Sequence, residues 1–277
     1  MLSGIPMLCS RTVALKRAPR KTSHFENPAL LNQQLTTVIS VKSGVFRGAQ
    51  TKLGLNMAPP PRVTKAVVQT EVTSFVANIN RARDLYRKIA LHGYTGTSAA
   101  TSTRLSNPDT RDAAQFIFFE IAAKFEDHAK FMFQVEVRSR LQVTATRSAF
   151  VMGDLDNGLN NKLGWGSPQR LKERGHNLFG ANSFFGDLVN KLGNQTYKTL
   201  VSAHTVRNRV AHDGGAAQTK FVKLLDGDGI QAAERQGMSV GRYLRDYPTA
   251  ATAVNRNFFL YLAAYEDFAT KAGAALP

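Results

Sequence analysis

The stretch "SAHTVRNRVAHDGG", residues 202–215, decides how this chain is read. It ends a segment with helical spacing, yet it packs two histidines, two arginines and an asparagine into the nine positions from His204 to His212. In the longer run "NQTYKTLVSAHTVRNRVAHDGG", Tyr197, Leu200, Val201, His204, Asn208 and Ala211 follow a stripe that ordinarily would be apolar throughout. Asn208 and His212 lie four apart and share a helix face. Arg207 lies roughly 140° around the axis from His212, a gap that a long guanidinium side chain can cross. Asp213-Gly214-Gly215 supplies a C-terminal stop, which places His212 in the last turn, at the negative end of the helix dipole.

A titratable imidazole beside a fixed cation and an amide matches what metal-free cleavage of an RNA phosphodiester needs. One group takes the proton of the 2′-hydroxyl, one protonates the leaving 5′-oxygen, and a cation holds the charge of the phosphorane. Histidine titrates in the right range and arginine offers a planar fork to phosphate. The spacing alone also fits a core histidine with a surface arginine that caps the helix, and a second Arg-x4-His pair occurs at Arg87 and His92. The context of the later pair distinguishes it: Asn follows Arg207, Ala precedes His212, and a polar-Gly stop follows.

Working outward, residues 65–91 predict a helix through Val68, Val72, Phe75, Val76, Ile79, Leu85, Tyr86 and Ile89, ended by Gly93 and Gly96. After a Ser/Thr-rich loop, Asn107 or Asp109 is expected to cap a second helix with a stripe through Phe116, Phe119, Ala123, Phe125, Phe131 and Phe133. Residues 151–193 are broken by glycines, so short helices are expected around 168–175 and 182–192. Gly193-Asn194 opens the motif helix. Then come a short segment "TKFVKLL", the turn "DGDG", a helix-like "SVGRYLRDYP", and a final helix through Val254, Phe258, Tyr261, Leu262, Tyr265 and Phe268. No strand-like alternation of useful length interrupts this order. The fold expected is all-α, a helical bundle over 63–277 preceded by a flexible basic arm over 1–62.

The 277 residues are 43% hydrophobic, enough for a sizeable core, and carry a formal charge of +16. The charge is uneven: the first 70 residues hold ten Lys or Arg against the single acid Glu26. The folded part is therefore only moderately basic, and charge alone does not make it a DNA-binding protein. The leader "MLSGIPMLCSRTVALKRAPRK" reads as an organelle-targeting peptide, as a disordered basic arm, or as an extension upstream of a start at Met57. The lone Cys9 closes no intrachain disulfide and no His/Cys cluster has zinc spacing, so a reducing, cytoplasmic setting, no metal and no cofactor are expected. No run approaches the roughly 18 apolar residues of a membrane span, so no membrane association is expected.

"RNRVAH" resembles the Arg-x4–6-His signature of the HEPN superfamily, in its common form with a polar residue after the arginine. The order of segments over about residues 66–272 is similar to the RiboL-PSP type of HEPN domain: a first helix near "FVANINRARDLY", an aromatic second helix, a Gly-broken middle, the motif helix and a closing helix. The resemblance implies an all-helical bundle that dimerises through the motif helix, joins two Arg/His pairs in one cleft and cuts RNA without metal. It also implies a toxin–antitoxin, phage-defence or RNA-processing setting, with an antitoxin or defence-system partner. Carried over, Arg207 holds phosphate, His212 is the general acid/base, and Asn208 orients the imidazole or contacts RNA. His204 and Arg209 are auxiliaries, His204 lining either the cleft or the ordinary core. The alternatives are a non-catalytic helical module that binds RNA or protein, and the HEPN half of a toxin–antitoxin pair silenced by a nucleotidyltransferase.

The other histidines are weaker candidates: His128 is expected on the solvated edge of the second helix, and His24 and His176 in exposed, irregular surroundings. The acids Glu120, Glu126 and Asp127 are expected to form salt bridges with Lys124 and Lys130. "GLNNKLGWG" and "GDG" lack the strand-loop-helix context of a phosphate-cradling loop. Because residues 1–56 have no periodicity, their removal should leave the melting temperature nearly unchanged. A loss of several degrees would show that they pack into the bundle.

Overall fold

A 35-residue helix, Asn107–Leu141, runs through the centre of the computed structural model, which describes residues 63–93, 104–157, 164–249 and 255–277. The expectations for 1–62, including the basic arm, His24 and the Met57 start, lie outside the described residues, as do Gly96 and Val254. The described residues all belong to one compact unit. Its helices are α1 (Lys65–Leu85, continued by a π turn over Tyr86–Leu91), α2 (Asn107–Leu141), α3 (Ala145–Asn157), α4 (Pro168–Phe179) and α5 (Leu188–Leu192), then α6 (Asn194–Ala211), α7 (Gly215–Gly227), α8 (Ala232–Arg235), α9 (Val240–Asp246) and α10 (Asn257–Ala275). Among the described residues there is no strand, so the fold is all-α. No helix of the described residues is long and apolar enough to cross a membrane.

α2 is capped by Ser106, just before the expected caps Asn107 or Asp109. The Ser106 hydroxyl accepts from the Asp109 N–H while the Asp109 carboxylate accepts from the Ser106 N–H, and Pro108 fills the first turn. The buried face of α2 runs through Ala114, Ile117, Phe118, Ile121, Ala122, Phe125, Ala129, Met132 and Phe133. The expected stripe through Phe116, Phe119, Ala123 and Phe131 is out of phase: Phe116 is 67% exposed, Ala123 is exposed, and Phe119 and Phe131 are half-buried. Consecutive aromatics such as "FIFF" occupy both sides of a helix, and period alone does not select between them.

The other helices pack around this spine. Phe125 stacks on Tyr265 of α10 at 4.3 Å and meets Phe268 edge-on at 5.1 Å. Phe133 contacts Trp165, Phe179 and Phe185. α1 contributes Val68, Val72, Phe75 and Ile79, and then the π turn re-phases it: Leu85 faces solvent while Tyr86 stacks on Phe258 at 3.8 Å. Gly241 of α9 lies against α2 so closely that a Cβ there would stand 2.1 Å from the Arg111 carbonyl oxygen. Two expectations for the middle of the chain are corrected: α3 continues through Gly153, and only Leu188–Leu192 of 182–192 is helical. "TKFVKLL" is part of the full helix α7.

The turn of 180–187 that launches α5 and α6 is tied to the spine by a buried carboxylate. Glu136, 1% exposed, accepts from the N–H groups of Phe184 at 2.9 Å and Phe185 at 3.1 Å and from Arg140 Nε at 2.8 Å. Glu136→Ala strands these donors and is expected to lower stability by about 3 kcal/mol, read from the denaturant midpoint. A loss below about 1 kcal/mol, the scale of a routine substitution, would mean that the turn is held by other contacts.

Candidate functional site

α6 begins after Gly193, whose φ of 83° suits glycine, so its start stands where the sequence put it; it ends at Ala211, so His212 lies just past the helix and not in its last turn as expected. Its core face is Leu200, Ala203 and Val206. His204, Asn208 and Ala211 are half-buried beside that face and not within it. The polar residues of the opening stretch therefore border the core at its edge, where part of each side chain remains accessible.

Three of the five expected site residues come together. The Asn208 side-chain amide donates from Nδ2 to His204 Nε2 at 2.9 Å, one turn apart, and its Oδ1 faces Arg207 Nη1 at 3.4 Å. Arg207 reaches across to α2: its Nη2 donates to Glu126 Oε2 at 3.0 Å, and Nε lies 2.9 Å from Oε1, an ionic contact outside hydrogen-bond alignment. Its guanidinium also sits 5.8 Å from the centre of the Phe119 ring. The four polar groups form a continuous line, Glu126 to Arg207 to Asn208 to His204.

The other two residues stand apart from this line. His212 is exposed and leaves the helix with extended backbone; its N–H donates to the Asn208 carbonyl at 3.1 Å. Its imidazole has no hydrogen-bonding or ionic partner among the described residues. Arg209 closes the helix end, with Nη1 3.3 Å from both the His212 carbonyl and the Asp213 carboxylate. The chain thus joins Arg207 to Asn208 and His204, and leaves His212 exposed just past the end of the same helix.

Two expectations are corrected at this site. Glu126 takes Arg207 as its partner, while Lys130 pairs with Asp156 at 2.6 Å. The signal that locates Glu126 is the pair of glycines in "LGWGS": a Cβ on Gly166 would come 2.7 Å from Glu126 Cγ and Oε1, and one on Gly164 3.3 Å from Oε2. His128 is not on a solvated edge. It is 1% exposed, stacked on Phe75 at 4.4 Å, with Nδ1 3.3 Å from Glu71 Oε1, because position 128 follows Phe125 and Ile121 on the buried face. His176 is exposed, as expected, but lies within α4 and not in irregular surroundings. Arg87 pairs with Asp84 and lies over Phe259, while His92 is exposed. Among the described residues no three His, Cys, Asp or Glu side chains group as metal ligands.

Burial raises the Glu126 carboxyl above the usual range and Asp127 adds to that, while Arg207 pulls it back down. His204 is pushed the other way: burial, the Arg207 cation and Lys220 of α7 lower its pKa to about 4. At neutral pH it is therefore an uncharged acceptor for Asn208, with its own proton on the buried Nδ1. The arrangement offers a cation fixed between a carboxylate and an amide, with an exposed imidazole just past the end of the helix.

The pH dependence follows from the sign of the His204 shift. The unfolded histidine binds its proton near 6.5 and the folded one near 4, so stability is full above 6.5 and is lost as pH falls through that window. Burial lowers His128 as well, which adds loss in the same direction. His204→Gln can accept the same bond without titrating and is expected to flatten the fall in melting temperature between pH 7 and 4. Equal slopes for parent and variant would show that His204 does not carry this dependence.

No family model matches the chain, and neither a curated protein nor a solved structure matches it, so its function is argued from the geometry above.

Proposed function

We propose that the chain is a metal-independent endoribonuclease of HEPN type that acts as a homodimer through the motif helix α6, in the toxin–antitoxin or phage-defence setting that the resemblance implies. The observation that carries the reading is the held guanidinium: Arg207 lies between Glu126 and Asn208 on a helix with His212 exposed just past its end. Arg207 neutralises the phosphorane. A 2′-oxygen attacks the neighbouring phosphorus as an imidazole takes its proton, and the 5′-oxygen leaves with a proton from a second imidazole. A twofold dimer supplies two copies of His212, one for each transfer.

Two observations favour the rival, a non-catalytic helical module that binds RNA or protein: Arg207 is already ion-paired, and His212 is outside its cluster. The two readings separate on one experiment, incubation of RNA with the full chain in EDTA. The nuclease leaves 2′,3′-cyclic phosphate ends and spares substrates carrying 2′-deoxy or 2′-methoxy at the scissile nucleotide. His212→Ala and Arg207→Ala should each lower the rate by about 10²–10⁴-fold, the scale of general acid–base catalysis, with the fold retained. Arg87→Ala and His92→Ala should stay within a few-fold of the parent. Cleavage that needs Mg²⁺, or that depends on Arg87 and His92 and not on Arg207 and His212, would refute the mechanism.

A further inference from the structure

Arg207 has two edges to offer an anion: the side edge of Nε and Nη2, and the end formed by Nη1 and Nη2. Glu126 takes the side edge with both oxygens, at 2.9 and 3.0 Å. Among the described residues the end meets only the long 3.4 Å contact from Nη1 to Asn208 Oδ1, which a phosphate oxygen displaces at little cost. The carboxylate and the phosphate therefore do not compete for the same edge.

Glu126 is itself fixed. Gly166 and Gly164 wall its carboxylate at distances that leave room for no side chain at 166, and its side chain is 20% exposed. Phe119, two turns earlier on α2, places its ring 5.8 Å from the same guanidinium. Arg207 thus lies along α2 with an aromatic ring at one turn and a carboxylate at another.

We infer that Glu126 is the positioning residue of this site: it grips Arg207 by the side edge and keeps the Nη1–Nη2 end for an RNA phosphate. The inference rests on the reading of Arg207 as the phosphate clamp of an RNA cleavage site. A grip of this kind acts on orientation in the transition state more than on attraction in the ground state. Removing the carboxylate charge leaves Arg207 at least as attractive to RNA, but lets it wander from the scissile phosphate.

The test is steady-state cleavage of a single-stranded RNA by the full chain in EDTA, with melting curves for every variant. Glu126→Gln is expected to lower kcat about ten- to a hundredfold, with KM unchanged or lower. Glu126→Asp, which keeps the charge on a shorter arm, should retain more kcat than Glu126→Gln. In an Arg207→Ala background, Glu126→Gln should add less than about a twofold loss, because the residue acts through that arginine. Should Glu126→Gln fail to fold, Gly166→Ala displaces the same carboxylate and must give the same kcat-specific loss. A rise in kcat/KM for Glu126→Gln would make the carboxylate an internal competitor, and a full further loss in the Arg207→Ala background would make it merely structural. Either result overturns the inference, as does parental kcat in Glu126→Gln. Absence of Arg207-dependent cleavage by the parent would instead refute the RNA-cleavage reading, and this inference with it.

Discussion

A helix of 35 residues that carries phenylalanines along its length has to bury one face over nearly its whole extent, and the rest of this fold answers that requirement. Phe118, Phe125 and Phe133 sit at well-separated turns of α2, and each is covered by a different group: Tyr261 and Tyr265, then Tyr265 and Phe268, then Trp165, Phe179 and Phe185. Each such ring contributes about 1.5–3 kcal/mol relative to exposure, which is large beside the net stability of a domain. Glu126 sits next to one of these rings in sequence, on the flank that the core leaves accessible. Its position is therefore set by the burial of Phe125, and α6, seated through Leu200, Ala203 and Val206, brings Arg207 to it.

The all-α class and the start of α6 were legible in the sequence because they depend on local signals, spacing and Gly193, while the Asp213-Gly214-Gly215 stop placed the end late and left His212 outside the helix. The phase of α2 was not legible. Phe116 and Phe119 share one side of the helix and Phe118 lies on another, and the choice between them is made by Tyr261, Tyr265 and other residues far along the chain. His128 was misplaced by the same error of phase, since a stripe through Phe118, Ile121 and Phe125 puts it inside. α3 persists through Gly153, where a Cβ would meet nothing within 4 Å, so that glycine marks no close approach and no break.

Of the site, Arg207 and Asn208 were legible together, with His204 as an auxiliary, while the separation of His212 from them and the part of Glu126 were not. Lys124 and Lys130 offered it partners at helical spacing, and local pairing is what a sequence shows. The contact that forms instead crosses between helices, and Lys130 turns to Asp156. The polarity of the motif helix also has a simpler geometry than the stripe suggested. His204 and Asn208 border the buried face, so their partial burial is compensated by one hydrogen bond between them. The same partial burial, with two cations nearby, keeps His204 an acceptor and so fixes which way the Asn208 amide points.

The pair that organises this cluster joins residues 81 positions apart in the chain. Closing so long a loop costs conformational entropy that the ion pair alone does not repay, so the contact forms only with the helix packing that brings α2 and α6 together. During synthesis the segment bearing Glu126 emerges first and waits for the segment bearing Arg207. A chain stalled or cleaved between the two carries one half of the cluster and none of its geometry. Assembly of the cluster is thus an event of tertiary structure, reached when the two halves of the chain have met.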